Sequence, residues 1–255
     1  MNAHFLKLPV DPSNPGQVLA CCGLVELVSR VHGPTASRFQ TSETPAFFIH
    51  ASRETVQDAV EALKTCPVEF LDDDRLHLDG PFDLRLDWWH DKAHGASVPK
   101  TWAGGVRPKT FFPPYQKALE PRKQDPAAWW DLKLKLDSAS PCLDPREFVH
   151  SLDTGFSPYE VKASVWTFPY VEILAFIGVQ RFRPASETAT SETAMRNAYS
   201  YYLWEHGLLP TVAALLFSGN INFGNHTRFI FRLRPRDQEN RYKAWTFSHR
   251  KEEKE

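Results

Sequence analysis

The chain has 255 residues, 42% of them hydrophobic and 24% charged, with a net charge of −1. That length and apolar content support a sizeable core, in one large domain or two small ones, and exclude a disordered chain. The charge balance excludes a free-standing nucleic-acid binder that relies on a global positive excess, so any phosphate contact must be local or shared with a basic partner.

In chain order, Phe5–Val10 reads as a short strand and Asp11–Gly16 (DPSNPG) as a turn. Pro15 opens a helix that runs through VLACCGLVELVSRV to Gly33-Pro34. It is apolar on nearly every face, so it is expected to be buried on most sides, and Gly23 in its middle points to close packing. Ala46–Ile49 reads as a strand, and Ser52 caps a helix with Val56, Ala59, Val60 and Leu63 at i, i+3, i+4, i+7. Hairpin-like strands follow at Leu76–Leu78 and Phe82–Trp88, the second alternating apolar and charged positions. Residues 90–127 are rich in Gly, Pro and Lys and read as an irregular region with room for one helix. Leu132, Leu134 and Leu136 mark another strand, and Asp144-Pro145-Arg146-Glu147 reads as the cap, proline and acid that start a helix. Val171–Val179 is expected to be an apolar helix, residues 184–192 a surface loop, and Ala198–Trp204, Thr227–Leu233 and Tyr242–Phe247 strands. The charged tail from Arg250 is expected to fray. The fold class is α+β, with mixed or antiparallel sheets packed on a buried N-terminal helix. Residues 1–255 form one unit, or two lobes of about 1–90 and 128–249 joined by a basic region at 91–127.

The four cysteines, Cys21, Cys22, Cys66 and Cys142, contain no C-x-x-C pair, which argues against a zinc ribbon or redox motif and for reduced thiols in the cytoplasm. The first residues lack a basic region followed by an apolar stretch, so no signal peptide is expected, and no apolar run is long enough to span a membrane.

Several constellations carry possible chemistry. The acidic run Asp72, Asp73, Asp74, Asp79, Asp83, Asp87 and Asp91 supplies carboxylates of the kind that hold a divalent ion, or a solvated turn and strand face. Asp87-Trp88-Trp89-His90-Asp91 with His94 places two histidines at i, i+4, but no H-E-x-x-H motif is present. Neither G-x-S-x-G nor a Gly-rich phosphate loop occurs. Between residues 92 and 123 the cations Lys92, Lys100, Arg107, Lys109, Lys117, Arg122 and Lys123 face a single acid, Glu120. Trp102, Phe111, Phe112 and Tyr115 interleave with them, as phosphate contact and base stacking require; a solvated loop with aromatic anchors has the same pattern. Near the C-terminus, Arg228, Arg232, Arg234 and Arg236 fall on one face of a strand, opposite Phe229, Phe231 and Leu233, which suits a polyanion track or an exposed face paired to acids. The asparagines of Gly219–Asn225 suit base edges or a turn equally.

Four stretches together resemble one family. They are DPSNPG leading into ACCGLVELVSR, then LRLDWW (84–89), KTWAGG (100–105), and LDTGFSPYE through VEILAFIGVQRFRP (152–184). The chain is similar there to the large-subunit-like protein of type I-U, or I-G, CRISPR systems. The resemblance implies a place in Cascade, the RNA-guided surveillance complex, with guide RNA, target double-stranded DNA, the other Cascade subunits and a helicase-nuclease as partners. Guide pairing supplies sequence specificity in such complexes, so the protein needs only a few contacts beside the target and along the backbone. Unlike larger members of related systems, this chain ends in predicted strands, with no helical bundle. The expected function is therefore a non-catalytic subunit with no cofactor or metal. It would contact nucleic acid through the cations of 92–123, with Trp102, and through the arginine strand. The alternatives are a metal-dependent nuclease using Asp87, His90 and Asp91, and a purely structural adaptor.

Overall fold

Asn14 and Pro15 start the first helix as the sequence asks. The Asn14 side chain accepts the Gln17 N–H at 3.1 Å, and proline takes a position that needs no N–H. The computed structural model describes residues 5–90, 98–102, 106–147, 165–187, 198–222, 224–236 and 243–251. In it, β1 (Leu6–Pro9) precedes α1 (Pro15–His32), which ends at Gly33 with φ 93°. Every α1 residue from Pro15 to Val28 is buried.

β2 (Ser37–Gln40) and β1 flank β3 (Ala46–Ile49) in an antiparallel sheet, with Leu8 opposite Phe47 and Phe39 opposite the same residue. Ser52 accepts the Thr55 N–H at 3.1 Å to cap α2 (Arg53–Thr65), whose Val56, Ala59, Val60 and Leu63 turn inward. β4 (Val68–Phe70), β5 (Leu76–Leu78) and β6 (Leu84–Leu86) form an antiparallel meander. α3 (Pro108–Ala118) lies inside the region read as irregular, and it buries Phe111, Phe112 and Tyr115. β7 (Leu134–Leu136) pairs with β8 (Val165–Thr167), and α4 (Pro169–Gly178) follows. The last sheet runs β12 (Lys243–Trp245), β11 (His226–Pro235), β10 (Ala198–Trp204), β9 (Ala185–Ser186), with β13 (His249–Arg250) also on β11 and α5 (Pro210–Phe217) packed on β10. Every pairing among the described strands is antiparallel, so the protein is α+β. One cluster of buried apolar side chains extends from Leu8 to Trp245.

The centre of that cluster is the crossing of α1 and α4. A Cβ on Gly23 would lie 2.0 Å from the Leu174 carbonyl oxygen, and one on Gly178 would lie 2.1 Å from that of Leu19. The two backbones touch because both contact positions are glycine, and α4 is buried along its whole length.

One expected strand is shorter than its pattern. Phe82–Trp88 pairs only over Leu84–Leu86, because Asp83 adopts φ 42° and the Gln180 Oε1 takes the N–H groups of Asp87 and Trp88 at 3.1 Å each. The expected helix start at Asp144–Glu147 shows a 3₁₀ turn over Pro145–Glu147, its continuation lying outside the described residues, and Glu147 does not reach back to the Asp144 N–H. That N–H donates instead to Glu172 Oε1 at 2.7 Å.

Candidate nucleic-acid interface

Three cations of the basic stretch, Lys100, Arg107 and Lys109, pair with Asp73 and Asp74 of the acidic run. Lys100 Nζ meets Asp74 at 2.9 Å and stands 5.6 Å over the Trp102 ring. Asp73 takes Arg107, and Lys109 at 3.4 Å. Arg122 pairs with Asp58 at 2.5 Å and Lys123 with Glu120 at 2.7 Å, while Lys117 is exposed. Asp72 accepts from Arg75 Nε at 2.6 Å, and this bond, with backbone N–H groups, holds its carboxyl at about 2. Trp102 is only 4% exposed, its ring edge-on to Trp89 at 4.8 Å, so it packs the core and offers no face to a base. Lys92, Asp91 and His94 lie outside the described residues, as does the side chain of His90. Among the described residues, no group of three or more His, Cys, Asp or Glu side chains is placed to hold a metal ion.

The arginine strand keeps half of its expected row. Arg232 and Arg234 are exposed on β11. Arg228 is held by Glu187 at 2.5 Å and lies 5.6 Å over the Tyr202 ring. β11 ends at Pro235, so the alternation does not reach Arg236, which is 2% exposed with Nη1 2.5 Å from Cys142 Sγ. In the Gly219 turn, Asn220 donates to Ser218 Oγ at 2.7 Å, which is turn chemistry.

The open basic site is elsewhere. A cleft of about 320 Å³ is lined by Arg30, Arg85, Arg181 and Arg183, with Glu26, Asp87 and Gln180. The glycine crossing builds it. Glu26 and Arg30 lie one and two turns beyond Gly23 on α1, and Gln180, Arg181 and Arg183 follow Gly178 at the C-terminal end of α4, where the helix dipole favours cations. Gln180, fixed by its Nε2 on Phe176 O at 3.1 Å, clamps Asp87 and Trp88 beside them and so brings β6 and Arg85 to the third wall. Glu26, 2% exposed, meets Arg30 Nε at 2.6 Å and Arg181 Nε at 3.1 Å. A buried carboxylate needs such cations, and it orders them in return. Arg30 spends its remaining reach on the carbonyls of Phe82 and Asp83, at 2.5 and 3.1 Å. Arg183 donates to Gln180 O at 3.0 Å and lies 5.4 Å over the Trp88 ring. The Arg181 terminal nitrogens and the whole Arg85 guanidinium make no hydrogen bond or ion pair among the described residues, and both side chains are exposed.

A second polar cluster is closed. Glu172 accepts the N–H groups of Leu143 and Asp144 at 3.0 and 2.7 Å. Glu147 accepts from the Ser140 and Thr167 hydroxyls and from the Phe168 N–H at 2.7 Å. Asp144 takes the Asn14 amide at 2.9 Å and Arg146 at 2.7 Å. Burial pushes Glu147 up to about 7 and Glu172 well above the usual carboxylate range. Their oxygens are used by the chain's own donors, so the cluster ties α1, α4 and β8 together and presents no open carboxylate.

Sequence reading missed the cleft because each arginine is ordinary where it stands. The available signals were Glu26 and Arg30 at i, i+4 on an otherwise apolar helix, and Q-R-F-R directly after another. No protein-family model, curated protein or solved structure matches the chain.

Proposed function

We propose that this chain is a non-catalytic subunit of a type I CRISPR RNA-guided surveillance complex and that it holds nucleic-acid phosphate in the arginine cleft, with Arg232 and Arg234 as an outlying contact. One observation carries the reading. Three of the stretches that resemble the large-subunit-like family, far apart in sequence, meet at this one cleft: Glu26 and Arg30 from the first, Arg85 and Asp87 from LRLDWW, and Gln180, Arg181 and Arg183 from the last. A few fixed guanidiniums suit a protein that positions a backbone while base pairing reads the sequence.

The cleft fits a metal nuclease less well. Asp87 stands among four arginines, whose charge repels a divalent cation. Partner contacts have their own candidate surface in the exposed Leu209, Val212 and Leu215 at and along α5. No helix among the described residues is long and apolar enough to cross a membrane.

Co-purification tests the reading. The tagged chain, drawn from cells expressing its whole operon, should bring down partner subunits and guide RNA with a repeat-derived handle. Recovery of the chain alone and free of RNA contradicts it.

A further inference from the structure

The cleft reads as more than a generic basic surface, because its size and its charge are both specific. Building on the nucleic-acid reading above, we infer that it takes a phosphomonoester, the terminal phosphate of a strand or of a nucleotide, held between Arg85 and Arg181.

Size is the first argument. Ligand pockets run from roughly 300 to 1,000 Å³, and this cleft of about 320 Å³ sits at the small end. That volume suits one phosphate with its sugar.

Charge is the second. Four arginines stand against Glu26 and Asp87 in the lining, leaving a formal excess of two positive charges. An internal phosphodiester carries one negative charge, whereas a phosphomonoester carries about −1.5 to −2 at neutral pH. The monoester matches the cleft; the diester leaves a guanidinium uncompensated.

Arrangement is the third. Arg30 and Arg183 are committed to the carbonyls of Phe82, Asp83 and Gln180. Arg85 and Arg181 come from different walls, β6 and the end of α4, and both are open. Arg181 Nε stands 3.1 Å from the Glu26 carboxylate, which leaves its two terminal nitrogens for phosphate oxygens, and a guanidinium grips those in pairs. Glu26 is thus a positioning residue.

The test is equilibrium binding of the full chain to a short labelled single strand carrying a 5′-phosphate, a 3′-phosphate or hydroxyls at both ends, with thymidine 5′-monophosphate as competitor. At least one phosphorylated strand should bind about tenfold or more tighter than the hydroxyl strand. Arg85→Ala and Arg181→Ala, both at exposed positions, should each erase that preference, and Asp87→Asn should strengthen it by removing a negative charge from the lining. Competition by the mononucleotide as strong as by the strand identifies a free nucleotide as the ligand, and weak competition identifies a strand end. Equal affinity for all three strands overturns the inference. If Arg181→Ala then weakens all three alike, the cleft holds internal backbone, and the proposed function stands without the monoester. If no strand and no nucleotide binds, both fall.

Discussion

Gly23→Ala adds one methyl group at the tightest place in the protein. The added Cβ would sit 2.0 Å from the Leu174 carbonyl oxygen, 2.9 Å from its carbon and 3.0 Å from the Gly178 nitrogen. All three are backbone atoms of α4, so no side chain can swing aside. Ordinary contact at about 3.5 Å requires the helices to part by about 1.5 Å. Overpacking costs about 1–3 kcal/mol and more where nothing gives, while alanine regains about 1 kcal/mol of helix propensity. With no atom able to give, the cost sits at the top of that range or above, and the balance is a loss of about 2 kcal/mol or more, or at least about 4–8 °C in melting temperature for a chain of this size. Urea and thermal unfolding followed by circular dichroism measure it. Gly207→Ala is the control: a Cβ there meets nothing within 4 Å, so that change should leave stability level or raise it by about 0.4–1 kcal/mol. A Gly23→Ala protein as stable as the wild type would refute the backbone crossing and, with it, the account of how the cleft is built.

Other outcomes follow from the same contacts. Glu147 holds its proton up to about 7 because it is buried, whereas the unfolded chain releases it near ~4.3. The native state binds more protons in that window, so stability is greatest below it and falls as pH rises through about 7. Glu172 shifts in the same direction. Glu147→Gln, whose amide can donate to Ser140 Oγ, should flatten that decline by up to roughly 3 kcal/mol; wild-type stability that climbs from pH 5 to 8 would contradict the sign. Arg107 is 43% exposed and pairs with an Asp73 that is 52% exposed, so Arg107→Ala should change stability by less than about 1 kcal/mol. It should also leave the affinity of the assembled complex for nucleic acid within about threefold, or about 0.7 kcal/mol. A much larger loss would return the 92–123 stretch to the interface.

The local devices of this fold are plain in the sequence. Asn14 with Pro15, Ser52 before an amphipathic run, and Gly23 in an apolar helix each describe their own surroundings, and each behaves as its chemistry requires. What lies between distant segments was illegible. The basic stretch reads as a phosphate surface until Asp73 and Asp74, about a quarter of a hundred residues or more upstream, are seen to neutralise Lys100, Arg107 and Lys109. Trp102 reads as a stacking face until it is found edge-on to Trp89. Arg236 follows the strand's alternation on paper, but the strand stops at Pro235. The cleft is the same lesson reversed: Arg30 and Arg181 share no local pattern, and only the meeting of Gly23 with Gly178 makes them neighbours.

The most direct test is the affinity of the reconstituted complex for guide RNA and for target duplex, measured across a salt series with the wild-type chain and with Arg85→Glu/Arg181→Glu. The cleft account predicts an intact complex that binds at least one of the two more weakly by about tenfold or more, with the salt dependence shallower by about one to two ions. Unchanged affinity and unchanged salt dependence for both ligands, in a complex of normal composition, would contradict it.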